Sequence, residues 1–431
     1  MNRKVLAVAV AAAFTAPVAF AQTSVTIGGT VNIMWDYAKA GGATQGAGGV
    51  DANMKSHDRV RDGAGSNIRF FVNEELGGGN SAFVQVESAV VTNSDERPNA
   101  VGGGQATTGW GNRNSAIGIR SKAAGRFLIG LWDLHYDEMY KVDPGWLIMN
   151  ASSSTLGLMN TFGLGGTTIP GQGAAGVIIG NRYSNVIRWD SPVWGGFSMT
   201  AGYARPTDTP PINQATGGLN DVREGKKNRA YNIAPRFETG GLVVAYTYLQ
   251  DKDIGVAGTV SLAGANLTSV TGNLKVTSNR IGVRYRFGMG LGIGFIYDAS
   301  KLNITTAVAG GTDLKRDVWS IPITYDIGNH AVNFQYSQAG DWNGNASNAC
   351  PAVVGCTING QTGINLASDT GAKMWALGYA YKLSKRTNVH VTYNEIKNEK
   401  AARYDLFANA SGNTAFGADP KTFSLGMRHT W

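Results

Sequence analysis

Residues 421–431 read KTFSLGMRHTW, and this stretch decides the fold hypothesis. In an extended chain the apolar side chains fall on one face: Phe423, Leu425, Met427 and Trp431. The small and polar residues fall on the other face: Ser424, Gly426, Arg428 and Thr430. A period of two indicates a β-strand. A strand that ends on an aromatic is typical of a barrel in a membrane, where the ring lies in the interfacial girdle. The alternative is an edge strand of a soluble sheet.

The first 21 residues have the form of an export signal. Arg3 and Lys4 precede an apolar run at residues 5–18, and a small-x-small site follows at residues 19–21. The run is too short to cross a bilayer as a helix, which argues against the alternative of a membrane anchor. We therefore predict a signal peptide at residues 1–21 and an exported mature chain that begins at Gln22.

Composition narrows the class of protein. After the signal, no segment approaches the roughly twenty apolar residues of a transmembrane helix, so the chain is either a soluble exported protein or a β-barrel. It contains 59 glycines, 16% charged residues and 10% aromatic residues, which suits many short strands and turns. The net charge is +8, but the basic residues form no runs, so we expect no nucleic-acid partner.

Alternating runs recur in pairs around short turns. The first pair turns at residues 77–80, and a short Gly/Asn turn between two such runs is a strong hairpin signal. The other tight turns are at residues 122–125, 192–195, 239–240, 288–290, 327–329 and 384–386. With a first strand at residues 23–37 and the last strand at residues 421–431, these pairs give about sixteen strands.

The remaining connections are long and polar. They cover residues 38–65, 93–112, 134–181, 206–227, 252–275, 301–314, 340–371 and 398–420. Short turns at one end and long loops at the other are the pattern of outer-membrane barrels. The sequence therefore predicts an all-β protein: a 16-stranded antiparallel transmembrane β-barrel over residues 22–431, with short periplasmic turns and long extracellular loops.

The longest connection, residues 134–181, is the candidate constriction. A structureless loop of about 48 residues in a compact protein is usually functional, and a barrel of this size needs something to narrow its lumen. Its apolar residues, among them Trp146, are too numerous for a solvated loop. We predict that it folds into the lumen. The alternatives are packing against neighbouring outer loops or contact with a partner subunit.

Strand alternation also predicts which charges face the lumen. A charged side chain on the lipid face at mid-bilayer costs about 2–4 kcal/mol, so strand arginines should point inward or lie near the headgroups. The predicted pore-lining basic residues are Arg69, Arg120, Arg126, Arg188, Arg284 and Arg286. The predicted pore acids are Glu87, Asp133, Asp137 and Glu138. A lumen lined by these arginines would attract anions. The alternative is that they lie at the rim or pair with acids such as Glu87.

Several motifs resemble those of one family. They are the hairpin at Gly65–Phe70 and Glu74–Gly79, the strand at Asn185–Pro192, and the turn Tyr381–Thr387, which reads YKLSKRT. The chain resembles the Gram-negative general porins, especially the β-proteobacterial branch, over its whole mature length. The resemblance implies a homotrimer in the cell outer membrane, with the third loop folded into the pore and its acids facing a basic wall.

The chain departs from the family pattern at two places. Residues 130–132 read Gly-Leu-Trp where the family commonly has Gly-Arg-Gln, and Asn67 stands where the family has an arginine, with Arg69 displaced by two positions. Pore size and charge therefore cannot be copied from the family. Trp132 and Trp146 are instead candidate aromatic residues at the constriction.

The only two cysteines, Cys350 and Cys356, are close in a loop-like stretch of an exported chain, so we expect a disulfide. We expect no enzymatic activity, no metal site and no cofactor. The leading hypothesis is a porin that allows passive diffusion of small hydrophilic solutes and ions, with a preference for anions. The alternatives are a substrate-selective channel, or a plugged barrel in the outer-membrane lipid that displays loops for adhesion.

Overall fold

A computed structural model describes most of the chain after the predicted signal peptide. The described residues are 23–44, 53–63, 65–90, 110–163, 179–205, 229–258, 261–262, 265–266, 270–306, 310–344, 356–358, 361–364, 368–407 and 415–431. The predicted signal peptide and Cys350 lie outside these residues, so the predicted disulfide does too.

The described chain is almost entirely β-strand. The first ten strands are β1 (Thr23–Gly41), β2 (Met54–Asp62), β3 (Asn67–Gly77), β4 (Asn80–Ala89), β5 (Ser115–Ser121), β6 (Gly125–Leu134), β7 (Asn181–Asp190), β8 (Phe197–Ala204), β9 (Arg229–Thr239) and β10 (Leu242–Gly258). The others are β11 (Ser261–Leu262), β12 (Ala265–Asn266), β13 (Val270–Arg286), β14 (Leu291–Thr306), β15 (Gly310–Ile327), β16 (His330–Ala339), β17 (Cys356–Ile358), β18 (Gln361–Ile364), β19 (Ala372–Lys382), β20 (Thr387–Asn398) and β21 (Asp419–Thr430).

The main sheet closes on itself. Each strand pairs antiparallel with the next, and β21 pairs with β1 from Thr30↔Thr430 to Gly41↔Asp419. The first half of β1 pairs with β3 and its second half pairs with β2. Strands β2 and β3 are thus two parts of one barrel strand, interrupted at residues 63–66. The 17 strands of the sheet therefore form a 16-stranded barrel, as the sequence predicted.

The hairpin turns lie where the alternation predicted them, but three of the predicted loops are longer than the loops of the structure. Strand β2 lies inside the predicted loop 38–65, and β10 and β13 extend into the predicted loop 252–275. The predicted loop 301–314 is wrong, because β14 and β15 leave only residues 307–309 between them. The outer-face residues described at these ends include Asp58 on β2, Lys252 on β10, Lys275 on β13 and Asp313 on β15, so the apolar alternation from which strands were predicted stops before the strands do.

The two faces of the barrel differ as a membrane barrel requires. On β1, Ile33, Trp35 and Tyr37 are exposed on the outer face, whereas Met34 and Asp36 are buried on the inner face. The same alternation continues around the barrel, so the outer face is a band of exposed apolar and aromatic side chains. In the part of the chain that the structure describes, no helix is long and apolar enough to span a bilayer.

Residues 135–163, between β6 and β7, include three short helical turns. They are α1 (Gly145–Ile148), a 3₁₀ turn (Ala151–Ser153) and α2 (Leu156–Met159). Most of this segment is buried, although it follows a strand of the barrel wall. We call residues 135–163 the lumen segment.

Candidate functional site

The lumen segment enters the barrel at His135. This residue has a positive φ of 73°, and it turns the chain inward directly after β6. Its Nδ1 lies 3.0 Å from Thr247 Oγ1 on β10, and its Nε2 lies 2.9 Å from Ser278 Oγ on β13. Strand β6 pairs only with β5 and β7, so contact with β10 and β13 requires the segment to run across the inside of the barrel. Inward folding of the third loop is confirmed.

Two arginines of the wall bind carbonyl oxygens of the segment. Arg280 on β13 donates to Met159 O at 3.1 Å, and Arg316 on β15 donates to Leu158 O and Thr161 O. The carboxylate of Asp298 on β14 accepts from both guanidinium groups at 2.9 Å. All three charged side chains are fully buried. We call Arg280, Asp298 and Arg316 the carbonyl clamp.

The middle of the segment reaches strands on both sides of the β1–β21 closure. Asn32 on β1 donates to Met149 O at 2.7 Å, and Arg61 on β2 donates to Ser152 Oγ at 2.7 Å. Strand β20 is also contacted, because Asn150 donates to Thr392 Oγ1 at 2.7 Å. The segment is therefore held at both sides of the barrel.

Glycines of the wall allow this close approach. A Cβ atom at Gly282 on β13 would lie 2.9 Å from Met139 Sδ, and one at Gly294 on β14 would lie 3.0 Å from Val142 O. A Cβ at Gly378 on β19 would collide with Met149 Sδ. Because real Cβ contacts are longer than these, the inner wall is shaped to fit the segment.

All six predicted basic residues share the inner face of the barrel. Arg69 pairs across the sheet with Glu87, and Arg120 pairs with Arg126. The Arg120 guanidinium lies over the rings of Phe71 and Phe83, 4.6 Å from each centroid.

Other predicted arginines pair with carboxylates or with a hydroxyl. Arg188 bonds Glu138 at 3.0 Å and Asp190 at 2.8 Å. Arg284 donates to Thr324, and Arg286 lies 4.0 Å from Asp326 near a short turn. Arg286 is the most exposed of the ion-paired arginines, with 59% of its side chain accessible, so it lies near the rim.

The predicted acids lie beside these arginines or beside others. Glu87 accepts from Arg113 at 2.6 Å, and Asp133 pairs with Arg182 at 3.1 Å. Burial and, to a smaller extent, the charges of Asp133 and Glu138 raise the pKa of Asp137 to about 8. Burial likewise raises the pKa of Asp143, at the start of the segment, to about 7.

The two candidate tryptophans have different surroundings. Trp132 is 7% exposed and belongs to an apolar cluster on the inner wall with Phe83, Leu128 and Tyr183. The Arg126 guanidinium lies 5.0 Å from the centre of the Trp132 ring. Trp146 lies in α1 of the lumen segment and is half-buried.

Sequence reasoning missed the carbonyl clamp and Arg61. Arg280 lies four residues before Arg284 on the same strand and therefore on the same face, so the alternation that selected Arg284 could have selected it. Arg61 was hidden because its strand lay in a predicted loop. Nothing local marks either residue as a ligand of the lumen segment.

One charge pattern recurs among the described residues: two cations share one carboxylate. On the inner face these groups are Arg59 and Arg61 on Asp36, Arg126 and Arg188 on Asp190, Lys141 and Arg236 on Glu238, Arg280 and Arg316 on Asp298, and Arg286 and Lys382 on Asp326. On the outer face Lys301 and Lys315 share Asp313. The groups on Glu238, Asp298 and Asp326 each carry a formal excess of one positive charge, whereas Arg188 also pairs with a second acid, Glu138, at 3.0 Å.

A closed 16-stranded barrel with an apolar outer band and a polar lumen crossed by an inward loop defines an outer-membrane porin. The sequence comparison agrees: a family model for Gram-negative porins matches residues 7–401. The chain belongs to the Gram-negative porin family. Porins are channel proteins of the outer membrane and not enzymes, so the expected class, location and lack of enzymatic activity are confirmed.

Individual relatives are distant. An outer membrane porin protein of Bordetella pertussis is 25% identical, over all of both chains. Among solved structures, the anion-selective porin from Comamonas acidovorans has a TM-score of 0.60 and 18% identity, over 95% of this chain and 100% of that one. OmpT of Vibrio cholerae has a TM-score of 0.61 and 14% identity, over 95% of this chain and 98% of that one. These structural matches show the shared fold.

Proposed function

We propose that this porin is a passive channel for small hydrophilic solutes and ions, that it prefers anions, and that residues 134–181 narrow its lumen. The observation that carries the anion preference is that three inner carboxylates, Glu238, Asp298 and Asp326, are each shared between two cations. A guanidinium paired one-to-one with a carboxylate would contribute little net field. A two-to-one group keeps one positive charge, so the inner surface attracts anions although most of its arginines are in ion pairs.

Three further arginines add to this field. Within the described residues, Arg69, Arg120 and Arg284 have no carboxylate at ion-pair distance. Stacking of Arg120 on Phe71 and Phe83 leaves the edge of its guanidinium available to a passing anion. The acids of the lumen segment oppose this preference only in part, because the raised pKa of Asp137 leaves that carboxyl largely neutral at pH 7.

One structural neighbour supports this proposal. The Comamonas acidovorans structure that shares this fold is described as an anion-selective porin. We extend that property to this chain on the strength of its own inner charges.

The test of the pore proposal is the reversal potential in a planar bilayer under a KCl gradient. The variant R120Q/R284Q removes two cations that have no carboxylate partner among the described residues, and we expect its anion selectivity to fall. The control K301Q/K315Q removes the same charge from the outer face, and we expect it to keep the wild-type value. Equal selectivity in both variants would mean that the arginines lie off the permeation path.

The same recordings distinguish the alternative functions. Saturable block of the current by one solute would favour a substrate-selective channel. A purified, folded wild-type barrel with no conductance would overturn the open-pore proposal and favour a plugged barrel that displays its loops.

We also propose that the channel is a homotrimer whose subunits meet along β3–β6. The outer face of these strands is aliphatic: Val72, Val84, Ile117, Ile119 and Ile129 carry it, with Phe70 and Phe127. Tyr and Trp side chains, which mark contact with the membrane interface, are absent from the outer face of the described parts of these four strands. Trp110, which precedes β5, lies against Phe70 with the ring centroids 5.9 Å apart, but the strands themselves present a mostly aliphatic face, which suits protein contact better than lipid contact. OmpT of Vibrio cholerae, which shares the fold, has been solved in a trimer form.

Native mass spectrometry in detergent tests this interface. The variant V84K, in the aliphatic sector, should dissociate the trimer. The control V332K, on β16, changes a valine that is exposed to nearly the same extent and should leave the oligomer intact. Dissociation by both variants or by neither would place the interface elsewhere.

A further inference from the structure

The short helix α1 in the lumen segment has one face on the wall and one face in the lumen. Gly145 lies against the wall, because a Cβ atom there would collide with the side chain of Asn333 on β16. Ile148, three residues later, packs against an apolar cluster on β16 and β19. Residues three apart share one face of a helical turn, so Trp146 and Leu147 lie on the other face and point into the lumen. Both are half-buried.

The lumen-facing edge of α1 is apolar and uncharged. Residues 149–160, which follow it, are all buried, and so are Glu138 and Asp143, the acids nearest to α1 in the chain. Trp146 and Leu147 therefore determine the chemistry of the edge that α1 exposes. Apolar side chains in contact with water gain free energy when a solute covers them. This edge is thus suited to the apolar part of a passing solute.

A cation of the wall, Arg428, lies beside the end of α1. It is on the inner face of β21, directly opposite Asn388 on β20 and Asn32 on β1. Asn388 donates to Ile148 O at 3.1 Å, and Asn32 donates to Met149 O at 2.7 Å. Residues directly opposite one another have Cβ atoms about 4.5–5.5 Å apart. The two asparagines therefore hold the end of α1 on either side of Arg428.

Arg428 is at the periplasmic edge of the lumen segment. Along β20, the segment is hydrogen-bonded to Asn388, Thr392 and Asn394. Asn388 is the closest of the three to the short turn at residues 384–386, and short turns face the periplasm in this class of barrel. Because Arg428 is level with Asn388, its guanidinium is within reach of a solute that has just passed α1.

The charge of Arg428 is not used by the protein itself. Within the described residues its guanidinium has no carboxylate at ion-pair distance and no hydrogen-bond acceptor, although the side chain is half-buried. The only acid on the inner face of the described parts of β1 and β20 is Asp36, which is bound to Arg61 at 2.7 Å. Burying a charge without a partner is costly, so an anion that pairs with Arg428 recovers part of that cost.

We infer that Arg428, Trp146 and Leu147 form a binding site for small organic acids that carry an apolar body, such as hexanoate and benzoate. The inference rests on the proposed anion-preferring channel and names a class of anion that this channel favours. The carboxylate pairs with the guanidinium of Arg428, and the apolar body covers the lumen-facing side of Trp146 and Leu147. Chloride and acetate can make only the first contact, and an uncharged solute can make only the second.

The experiment is single-channel recording of the refolded full chain in KCl at neutral pH, with hexanoate, benzoate, acetate or hexanamide added. Hexanoate should block the current saturably at about tenfold lower concentration than acetate, because half-burial of its four additional methylene groups favours the bound state by about that factor. Benzoate should act like hexanoate. Hexanamide has the same apolar chain without the charge, and it should not block at the concentration at which hexanoate halves the current.

Two variants remove the two halves of the site separately, and current in KCl alone shows that each is folded. Arg428→Gln should raise the half-blocking concentration of hexanoate about tenfold or more, because a hydrogen bond to a charged group is lost. Trp146→Gln/Leu147→Gln should bring hexanoate and acetate to similar half-blocking concentrations. The matched control, Arg386→Gln, removes an exposed arginine from the short turn at residues 384–386, and it should keep the wild-type block by hexanoate.

The outcomes separate this inference from the proposed function. A wild-type channel with no current or no anion selectivity in KCl alone would contradict the proposed function, and this inference with it. An anion-selective wild-type channel that hexanoate and acetate block equally would overturn the inference alone. Unchanged block by hexanoate in either site variant would also overturn it, because the acid would then bind elsewhere. Equal block by hexanamide and hexanoate would exclude a role for the guanidinium.

Discussion

Removing the carboxylate of Asp298 should release the lumen segment from the wall. This carboxylate is the counter-ion of Arg280 and Arg316, each at 2.9 Å, and none of the three side chains is exposed to solvent. The substitution Asp298→Asn leaves two buried guanidinium groups side by side without a negative charge. Breaking a buried ion pair by removing one partner costs about 3–5 kcal/mol.

We expect this free energy to appear as detachment of the segment and not as loss of the barrel. The guanidinium groups can relieve their repulsion by moving apart, and doing so abandons the carbonyl groups of residues 158–161. A cost of 3 kcal/mol or more changes the ratio of attached to detached segment by about 100-fold or more. Hydrogen exchange of residues 135–163, followed by mass spectrometry, should accelerate, and single-channel current should become noisier and larger.

Asp313→Asn is the matched control. Asp313 is also shared by two cations, but they lie on the outer face and are 40% and 50% exposed. Exposed ion pairs contribute about 0–1 kcal/mol, so neither exchange nor conductance should change. If Asp298→Asn behaves like Asp313→Asn in both measurements, then the carbonyl clamp does not hold the segment and the reasoning is refuted.

Three other perturbations test separate parts of the structure. Gly378→Val should displace Met149, and the overpacking cost of about 1–3 kcal/mol should lower the thermal midpoint of unfolding. The double variant Gly378→Val/Met149→Ala should restore that midpoint. An unchanged midpoint in Gly378→Val would contradict the close approach of the two residues. Because the pKa of Asp137 is raised to about 8, this carboxyl becomes charged as the pH rises from 6 to 10. The anion selectivity of the wild-type channel should therefore fall over that range. In the control Asp137→Asn it should stay constant. If Cys350 and Cys356 form the predicted disulfide, alkylation of the unfolded chain should add two labels only after reduction, as intact mass would show.

The barrel could be predicted from the sequence because apolar and polar residues alternate along membrane-spanning strands. Outward positions such as Ile33 and Trp35 are apolar for the lipid, and inward positions such as Asp36 are polar. That rule fails where the strands leave the membrane. After Lys301 on β14 and before Lys315 on β15 the outer face carries polar residues, Asn303 and Asp313, while the apolar Leu302 and Leu314 face inward, so residues 301–314 read as a loop.

The site was only partly readable for a different reason. Alternation assigns a face to Arg120 or Arg188, and that assignment needs only neighbours in the strand. The partners of the lumen segment lie far away in the chain: His135 contacts Thr247 and Ser278, and Arg316 contacts Leu158. No local pattern carries information about such pairings, so the sequence located the loop but not its contacts.

The contacts of the lumen segment with Asn32, Arg61 and Thr392 have a consequence for the closure of the barrel. These residues flank the seam where the first and last strands of the chain meet. From inside the barrel, residues 149–152 of the segment bridge the two sides of that seam. Strands on both sides of the seam therefore share the segment as a hydrogen-bond partner, and these bonds support the closure of β21 onto β1 from inside the barrel.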